Sequence, residues 1–368
     1  MTQVQAAVLR SGINTFSIET VELEEPRAGE VLVKIVATGV CHSDIVLRDA
    51  KITKRPIVLG HEGAGIVTKV GADVSEFKAG DRVAMSFAAC GSCPSCQKSA
   101  PAYCAQFFPL NYFGSRLDGS TSISNAGERI GSHIFGQSSF ATYAVCPAQN
   151  LVKVDDDIPL EIAGPFGCGF QTGAGSVLNS LSVPPGASVM VLGAGAVGLS
   201  AVMAAAHIAS AATVIAVDLH DTRLDLAMSV GASHKINGGA EHLEALVKAI
   251  CPAGVDYIID TTAYVPLAQR CVNLLASQGT MALVAAYPLD VKFNFDVSMF
   301  MATGRKIQGV MEGDSDIKEF IPRLLEHYKQ GRFPVDRIIK YYDFADINQA
   351  IEDSERGTTI KAIIKMPA

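Results

Sequence analysis

The chain has 368 residues, of which 49% are hydrophobic and 18% charged, and its formal net charge is −7. This length is enough for two domains with large cores, and the negative charge argues against nucleic acid as the main partner, because phosphate binding requires a basic face. The start of the chain, MTQVQAAVLRSG, has neither the basic and apolar stretches nor the cleavage site of an export signal, so we expect a cytoplasmic protein.

The pattern of elements changes along the chain. Residues 1 to about 150 read as short strands, such as EVLVKIVATG and GAGIVTKVG, separated by Gly, Pro and Asp turns. From about 187 to 311, strand-like runs alternate with helical ones, which predicts a parallel, doubly wound sheet. After 311 follow a helix, a strand, a second helix and the final strand TIKAIIKM, a tail that can return to the first domain.

One long stretch could be mistaken for a membrane span. No Asp, Glu, Lys or Arg occurs between Glu161 and Asp218. The stretch is broken by PPG at Pro184–Gly186 and by further glycines, and its apolar pieces are only as long as strands. We therefore expect buried strands here and no contact with a membrane.

The run GAGAVG follows the strand-like SVMVL and opens a helical run. In such a G-x-G-x-x-G turn Gly193 permits the tight turn, Gly195 the close approach to a pyrophosphate, and Gly198 the packing of helix on strand. Asp218, at the end of the next strand, would accept hydrogen bonds from the adenosine ribose and repel a 2′-phosphate, which favours NAD. Arg223 lies over the ribose or simply begins an exposed helix. The alternative interpretation of the whole run is a glycine-rich turn without a ligand.

Four cysteines are crowded into CGSCPSCQKSAPAYC with the spacing C-x2-C-x2-C-x7-C: Cys90, Cys93, Cys96 and Cys104. Four thiolates can close a tetrahedron around Zn²⁺ and leave no position open for chemistry, so the loop predicts a structural zinc site. Free thiols or two disulfides are the alternatives, and disulfides are rare in cytosolic proteins. A zinc module for nucleic acid is disfavoured because Lys98 is the only positive charge of this loop.

Three further residues are candidates for an open metal site: Cys41 in GVCHSD, His61 in GHEGAG and Cys168 in GPFGCGFQTG. Two cysteines and a histidine, with the fourth position left to water or alcohol, form a catalytic zinc pattern. Such an ion is acidic enough to remove the proton of a bound alcohol near neutral pH. Taken singly, each residue is better explained as a small buried cysteine or a hydrogen-bonded histidine, and the spacing does not show that the three meet. The glycines of GHEGAG would leave room for the ion or serve only a turn.

These motifs occur together in a known order. GVCHSD, GHEGAG, the four-cysteine loop, GCGFQTGAG and GAGAVG stand as in zinc-dependent medium-chain alcohol dehydrogenases, and the chain resembles that family over essentially its whole length. GPFGCGFQTGAGSVLN and FGQSSFATYA are most similar to bacterial aryl-alcohol (benzyl alcohol) dehydrogenases and their geraniol-oxidising relatives. The resemblance implies an α/β protein with two domains. Residues 1–169 and 312–368 would form a GroES-like, mostly-β catalytic domain with the structural zinc loop 90–104, and residues 170–311 a Rossmann NAD-binding domain with a doubly wound parallel sheet.

The resemblance also implies roles around the metal. Cys41, His61 and Cys168 would be the ligands of the catalytic zinc. Asp44 would hold the free ring nitrogen of His61, a partner that such ligands usually need. Glu62 matches a glutamate of the family that lies behind the zinc and ligates it transiently during exchange.

Further roles concern the proton and the cofactor. Ser43 would take the proton of the alcohol, although the family's relay histidine, three residues after the serine, is replaced here by Val46. His42 and, from the tail, Lys361 would face the cofactor pyrophosphate. Thr172 would lie beside the nicotinamide. Ser43 and Asp44 also fit the start of a helix, a role compatible with the chemical one.

The activity implied by the resemblance is the reversible, zinc-dependent oxidation of a primary apolar alcohol, aryl or allylic, such as benzyl alcohol or geraniol. The product would be the aldehyde, with hydride transferred to NAD⁺. It implies two zinc ions per chain, a small alcohol or aldehyde as partner, and a homodimer, with a tetramer as the alternative. An aliphatic medium-chain alcohol dehydrogenase is the alternative function within the same family. The second alternative is a non-catalytic oxidoreductase-like protein. The complete set of ligands for a catalytic zinc argues against this alternative.

Overall fold

A computed structural model describes residues 1–49 and 56–367 of the chain. Contacts divide these residues into two compact units. The first comprises 1–168, 316–325 and the residues from 338 onward, and the second comprises 169–315 and 326–337. Residues 169, 312–315 and 326–337 were expected in the catalytic domain, but the structure places them in the second unit.

The strands of the described residues are short in the first half of the chain and lie at regular intervals in the second. They are β1 Thr2–Leu9, β2 Phe16–Leu23, β3 Glu30–Gly39, β4 Ile57–Val58, β5 Glu62–Val70, β6 Arg82–Met85, β7 Ile123–Asn125, β8 Glu128–Ile130, β9 Tyr143–Pro147, β10 Leu151–Lys153, β11 Ser188–Leu192, β12 Thr213–Asp218, β13 His234–Asn237, β14 Val255–Asp260, β15 Leu275–Leu283, β16 Lys306–Gly309, β17 Ile339–Asp343 and β18 Lys361–Lys365.

The helices are longest in the second half of the chain. They are α1 His42–Asp49, α2 Pro94–Gln97, α3 Phe107–Tyr112, α4 Leu160–Ala163, α5 Gly169–Gly175, α6 Ala196–Met203, α7 Asp221–Ser229, α8 Leu243–Ile250, α9 Val265–Val272, α10 Val297–Thr303, α11 Ile317–Lys329 and α12 Ile347–Glu355. Short π turns extend α5 and α6, at Ser176–Ser180 and Ala204–Ile208. In the described ranges no helix is both long and apolar enough to cross a membrane.

The first unit is built mainly from two sheets. One has the strand order β4-β1-β2-β7-β8, and the other has the order β10-β6-β5-β3-β18-β17 with β9 also paired to β3. Strand β3 (EVLVKIVATG) has no exposed residue, because β5, β9 and β18 pair along it. Val31, Val33 and Ile35 of this strand lie in the core of the unit. The tail of the chain returns here, since β18 pairs antiparallel with β3.

The second unit is a parallel sheet with helices between its strands. The strand order is β13-β12-β11-β14-β15-β16, and every pair is parallel. The central strands are continuous apolar runs, as expected of strands covered on both faces. The predicted doubly wound fold is confirmed. Strand β13 was not predicted, because HKIN is polar and its first two residues are exposed at the edge of the sheet.

Candidate metal centres and coenzyme site

The backbone at Gly60 fixes the position of His61. Gly60 has φ +91°, and a Cβ there would lie 2.4 Å from Cδ1 of Phe140, so only glycine fits. A Cβ on Gly63 would lie 2.7 Å from that of Ser139. Gly60 and Gly63 therefore let the start of β5 and the residue before His61 pack closely against residues 137–140. Of the two roles expected from the sequence, room for an ion or a turn, the positive φ of Gly60 favours the turn.

The second segment of the site is the start of helix α1, which is organised by Asp44. Oδ2 of Asp44 accepts a hydrogen bond from the backbone N–H of Cys41 at 3.1 Å, while the Asp44 N–H donates to the carbonyl of Cys41. The first of these bonds is one half of a capping box, in which a carboxylate three residues into the helix accepts from the N–H of the residue before it. Oδ1 lies 2.9 Å from Nδ1 of His61 and also accepts from the Gly60 N–H at 3.1 Å. One buried carboxylate thus ties the Cys41 segment to the His61 segment.

The third segment is the turn Gly164–Gly167, which ends at Cys168. A Cβ on Gly164 would lie 2.0 Å from the carbonyl oxygen of Glu62, and one on Gly167 would lie 1.9 Å from that of Met85. The turn therefore packs directly on β5 and β6. The Ser86 hydroxyl donates to the Gly167 carbonyl at 2.6 Å, which holds the residue before Cys168 in place.

These three segments bring four ligand-type side chains together. The ligand atoms of Cys41, His61, Glu62 and Cys168 all lie within 4.8 Å of one another. His61 and Glu62 are fully buried, and Cys168 is 6% exposed. The predicted set of two cysteines and a histidine is therefore assembled at one place.

The electrostatics of this group fit a bound cation. The hydrogen bond with Cys168 is the main cause that lowers the pKa of Cys41, and it outweighs burial. Burial lowers the pKa of His61, but the charges of Asp44 and Cys41 outweigh it and raise that pKa. Nδ1 of His61 faces Asp44, and the buried Nε2 has no hydrogen-bond partner within the described residues, so Nε2 is the nitrogen left for a metal ion. The negative surroundings that hold a proton on the free ring would equally favour a metal cation in its place. An imidazole nitrogen beside two thiols is a donor set that Zn²⁺ takes.

Lys361 forms a buried ion pair with Glu62. Its Nζ donates to Oε1 and Oε2 of Glu62 at 2.9 and 2.8 Å and to the Val40 carbonyl at 3.1 Å, and the Lys361 side chain is almost fully buried. Burial raises the pKa of Glu62, although the charge of Lys361 opposes this shift. The structure thus gives Lys361 a partner that the sequence did not suggest, and its contact with a pyrophosphate stays a prediction.

Two residues behind His61 were not singled out from the sequence. The ring of Phe135 stacks on that of His61, with centroids 4.4 Å apart and an interplanar angle of 23°. The Gln137 amide donates to the His61 carbonyl at 2.9 Å and accepts from the Gly63 N–H at 3.0 Å. Both lie in or next to the run FGQSSFATYA, which contributed to the resemblance. Their roles depend on contacts between distant parts of the chain, and no local pattern predicts these.

The four-cysteine loop forms a second cluster of thiols in the first unit. The sulfur atoms of Cys90, Cys93, Cys96 and Cys104 lie within 4.8 Å of one another. The Sγ atoms of Cys93 and Cys96 are 3.5 Å apart and those of Cys90 and Cys96 are 4.0 Å apart. Tetrahedral zinc–sulfur bonds place sulfurs about 3.8 Å apart, whereas a disulfide requires about 2.05 Å. The cluster therefore fits a zinc ion.

Backbone N–H groups of the same loop point at the sulfurs. The N–H groups of Cys93, Ala105 and Gln106 donate to Sγ of Cys90, Cys93 and Cys104 at 3.3, 3.4 and 3.3 Å. Hydrogen bonds from Ser92 are the largest cause that lowers the pKa of Cys90, to about 6. All nine cysteines of the chain lie in the described residues, and none of them forms a disulfide.

The glycine-rich turn of the second unit has the geometry of a dinucleotide site. Gly193 has φ +94°, and a Cβ on Gly198 would lie 1.8 Å from the Gly193 carbonyl oxygen, so the turn and helix α6 pack closely. Among the described residues, a Cβ on Gly195 would meet nothing within 4 Å, which leaves open space in that part of the chain where α6 begins. Asp218 ends β12, and its Oδ2 accepts from the Ala194 N–H at 2.7 Å. Nη1 of Arg223 lies 4.0 Å from that oxygen.

The remaining predicted residues lie in both units. Ser43 is half-buried on the first turn of α1, with Oγ 3.8 Å from Sγ of Cys41, whereas His42 is exposed. Val46 is 43% exposed on the same helix. Thr172 lies in α5 of the second unit, where its hydroxyl is 3.4 Å from Oε2 of Glu312.

Comparisons with known proteins cover both parts of the chain. Residues 27–156 match the family described as the alcohol dehydrogenase GroES-like domain, and residues 196–326 match the zinc-binding dehydrogenase family. The chain is 41% identical to a geraniol dehydrogenase of Castellaniella defragrans over 362 residues, which is 98% of this chain and 97% of that protein.

Two solved structures are similar over their full lengths. An alcohol dehydrogenase zinc-binding domain protein from Burkholderia ambifaria has 46% identity and a TM-score of 0.97, with 100% of both chains covered. The benzyl alcohol dehydrogenase from Acinetobacter calcoaceticus has 41% identity and a TM-score of 0.96, also with 100% of both chains covered. The chain is therefore an oxidoreductase that belongs to the family of zinc-dependent medium-chain alcohol dehydrogenases.

Proposed function

We propose that this enzyme oxidises a primary apolar alcohol, aryl or allylic, to the aldehyde with NAD⁺ as hydride acceptor. The observation that carries the proposal is the group formed by the half-buried Cys41 and the buried His61 and Cys168, in which Nε2 of His61 lacks a hydrogen-bond partner within the described residues. The similar proteins named above include a geraniol dehydrogenase and a benzyl alcohol dehydrogenase, each 41% identical to this chain.

Cys41, His61 and Cys168 would hold the catalytic zinc. The ion, when bound, supplies a Lewis acid that lowers the pKa of a coordinated alcohol toward neutrality. Asp44 fixes the ring of His61 by accepting from Nδ1–H, which directs Nε2 at the metal position. The Lys361 ammonium balances the charge of Glu62 close to the ligands. The four cysteines of the loop 90–104 would hold a second, structural zinc, so that each chain carries two ions.

Ser43 is the residue of the first unit that we assign to the proton of the alcohol. Its hydroxyl lies 3.8 Å from Sγ of Cys41 and is half-buried, so it borders the metal group without being sealed from solvent. A hydroxyl can accept one proton while it donates its own, which suits a first relay step. Val46 has no ionisable group, so the route beyond Ser43 does not use that position.

A series of aromatic rings beside His61 supports an apolar, unsaturated substrate. Phe135 stacks on His61, Tyr112 meets Phe135 at a centroid distance of 5.2 Å, and Phe108 meets Tyr112 at 5.7 Å. Phe135 is buried and Phe108 is 61% exposed, so the series runs from the metal ligand to the surface of the unit. Aromatic faces bind flat π systems better than saturated chains of equal area.

The coenzyme is proposed to be NAD, bound at the turn Gly193–Gly198 with its adenosine ribose near Asp218. The open space at Gly195 suits a pyrophosphate at the start of α6, and the charge of Asp218 disfavours a 2′-phosphate. We expect kcat/KM for NAD⁺ to exceed that for NADP⁺ at least about tenfold, equivalent to about 1.4 kcal/mol. Equal values for the two coenzymes would contradict the assignment of Asp218.

The proposed activity is tested by following NADH formation with benzyl alcohol, geraniol, cinnamyl alcohol, hexanol and ethanol at matched concentrations. We expect the aryl and allylic alcohols to have the highest kcat/KM. A clear preference for ethanol or hexanol would favour an aliphatic alcohol dehydrogenase. Failure of the zinc-loaded protein to form NADH with any of the five would contradict the proposal.

The assembly and the compartment are also proposals. The homodimer, or a tetramer, and the cytoplasmic location are expected from the resemblance described above. Light scattering of the purified full-length protein gives the mass of the assembly, and a monomer at working concentrations would contradict the first of these.

A further inference from the structure

Asp260 is a buried carboxylate with no part in the chemistry proposed above. It ends β14 and is 0% exposed. Its Oδ1 accepts hydrogen bonds from the N–H and the hydroxyl of Thr262, at 2.9 and 2.6 Å. Its Oδ2 accepts from the hydroxyl of Tyr287. Since a buried carboxylate without donors is costly, the Tyr287 hydroxyl contributes to keeping this group inside the second unit.

The position of Asp260 in the sheet connects it with the dinucleotide turn. Asp260 is opposite Leu192, the last residue of β11, and the order of the sheet reverses between these two strands. In such sheets ligands bind outside the carboxyl ends of the strands at this place. The hydroxyl of Thr261 donates to the Leu192 carbonyl at 2.8 Å, and a Cβ on Gly193 would lie 2.6 Å from that hydroxyl. The residues after β14 therefore pack against the turn itself.

The same residue holds the segment that follows β15. The N–H groups of Val284 and Ala285 donate to the Asp260 carbonyl at 3.0 and 3.3 Å. The half-buried Tyr287 adds its bond to the carboxylate. Burial is the first cause that raises the pKa of Tyr287, and the bond to Asp260 raises it further, so the phenol keeps the proton it donates. Backbone and side chain of Asp260 thus both fix residues 284–287.

We propose that the hydrogen bond between Tyr287 and Asp260 helps to position the bound coenzyme. It fixes segment 284–287 at the carboxyl edge of the sheet, beside the residues that pack on the dinucleotide turn, and thereby sets the affinity for NAD. Tyr287 acts through Asp260 and the segment and not on the reacting atoms. The inference rests on the proposed coenzyme site.

The test is the substitution Tyr287→Phe in the full-length, zinc-loaded enzyme. Phe keeps the aromatic ring but leaves the buried Oδ2 of Asp260 without this hydrogen-bond donor. We expect segment 284–287 to shift so that the carboxylate oxygen can find another donor. We expect the NADH dissociation constant, from fluorescence titration, to rise about tenfold. KM for NAD⁺ should rise with it, while KM for the alcohol stays constant. Tyr257→Phe is the matched control, because Tyr257 is half-buried on the same strand, away from its carboxyl end, and should leave the NADH constant unchanged.

A double variant separates positioning from a purely structural role. Adding Asp260→Asn to Tyr287→Phe replaces the unsatisfied charge by a neutral amide, which is cheaper to bury, so NADH affinity should recover to about threefold below that of the wild type. A structural role would shift the thermal midpoint and leave NADH affinity the same in all variants.

The possible outcomes distinguish the two proposals. If the wild type binds no NADH, the coenzyme proposal itself fails. If the wild type binds NADH and Tyr287→Phe binds it within twofold as tightly, only the positioning role is overturned. If Tyr287→Phe does not fold, the double variant decides. NADH affinity of the double variant equal to that of the wild type would overturn the positioning role.

Discussion

At the scale of single residues, Asp44 has the largest role in the candidate catalytic site. Its two carboxylate oxygens contact the His61 ring and the backbone N–H groups of Cys41 and Gly60, so it sets the position of two ligands at once. The sequence could predict the contact with His61, because the resemblance assigns it. The contact with the Cys41 N–H agrees with the helix start expected at Asp44, because it is local. The contact with the Gly60 N–H was not predicted, since Gly60 and Asp44 come together only through folding.

Replacing Asp44 by Asn should weaken metal binding at this site alone. The amide keeps an acceptor but loses the charge that orients the His61 ring, and losses of this kind typically lower metal affinity about 10–100-fold. Zinc retained after dialysis against graded chelator measures the effect, and the cysteine loop 90–104 should retain its ion. Asp49→Asn, an exposed change on the same helix, is the control. Equal zinc retention by the Asp44 variant and the wild type would contradict the orienting role.

Glu30 makes the stability of the first unit depend on pH. Burial raises its pKa, but the ring of His133, 3.8 Å away, the Arg116 guanidinium and the Arg27 N–H outweigh burial and lower that pKa to about 2. A carboxylate whose pKa is lowered in the folded state stabilises the fold at pH values above its ordinary pKa of about 4.5. This stabilisation is lost as the pH falls toward 2. The shift corresponds to about 3 kcal/mol.

Glu30→Gln tests this contribution. Its free energy of unfolding in urea should lie about 3 kcal/mol below that of the wild type at pH 7, and the gap should narrow as pH is lowered from 5 toward 3. Glu128→Gln, at an exposed ion pair, is the control and should change stability by less than about 1 kcal/mol. A gap that is constant with pH would show that the role of Glu30 is not ionic.

At the scale of elements, the packing of residues 134–140 against the start of β5 builds the candidate site. Phe135 adopts φ +50°, a conformation rare outside glycine, and in this position its ring stacks on His61. The Ser139 and Phe140 N–H groups donate to the carbonyls of Gly60 and Leu59. Strand patterns predicted β3 and β5 because their alternation is local. The irregular run 133–138 has no such period, so its role could not be predicted.

Gly60→Ala should destabilise the protein more than an equivalent change elsewhere. At Gly60 a Cβ meets Phe140 at 2.4 Å in addition to the strained φ, whereas at Gly80, with φ +93°, it meets no described residue within 4 Å. We expect a loss of about 3 kcal/mol or more for Gly60→Ala and about 1–2 kcal/mol for Gly80→Ala. Thermal unfolding of both variants measures the difference. Equal losses would show that contact with Phe140 does not constrain this segment.

At the scale of the whole molecule, both candidate metal centres lie in the first unit and the dinucleotide turn lies in the second. The order of the motifs along the sequence was sufficient to predict the family and the fold, because spacing and glycine pattern are properties of the sequence itself. The pairing of Lys361 with Glu62 was not predicted, since it joins the end of the chain to β5 and depends on how the tail packs. The hydrogen bond between Asp260 and Tyr287 was not predicted either, because it also depends on how distant segments pack in the folded chain.

The central claim is that Cys41, His61 and Cys168 hold a catalytic zinc separate from a structural one. Zinc content and NADH formation of Cys168→Ser, measured on one preparation beside the wild type, test it most directly. We expect two zinc ions per wild-type chain, and for the variant one ion, bound NADH and no oxidation of benzyl alcohol or geraniol. Two zinc ions and full activity in the variant would remove Cys168 from the ligand set and contradict the account.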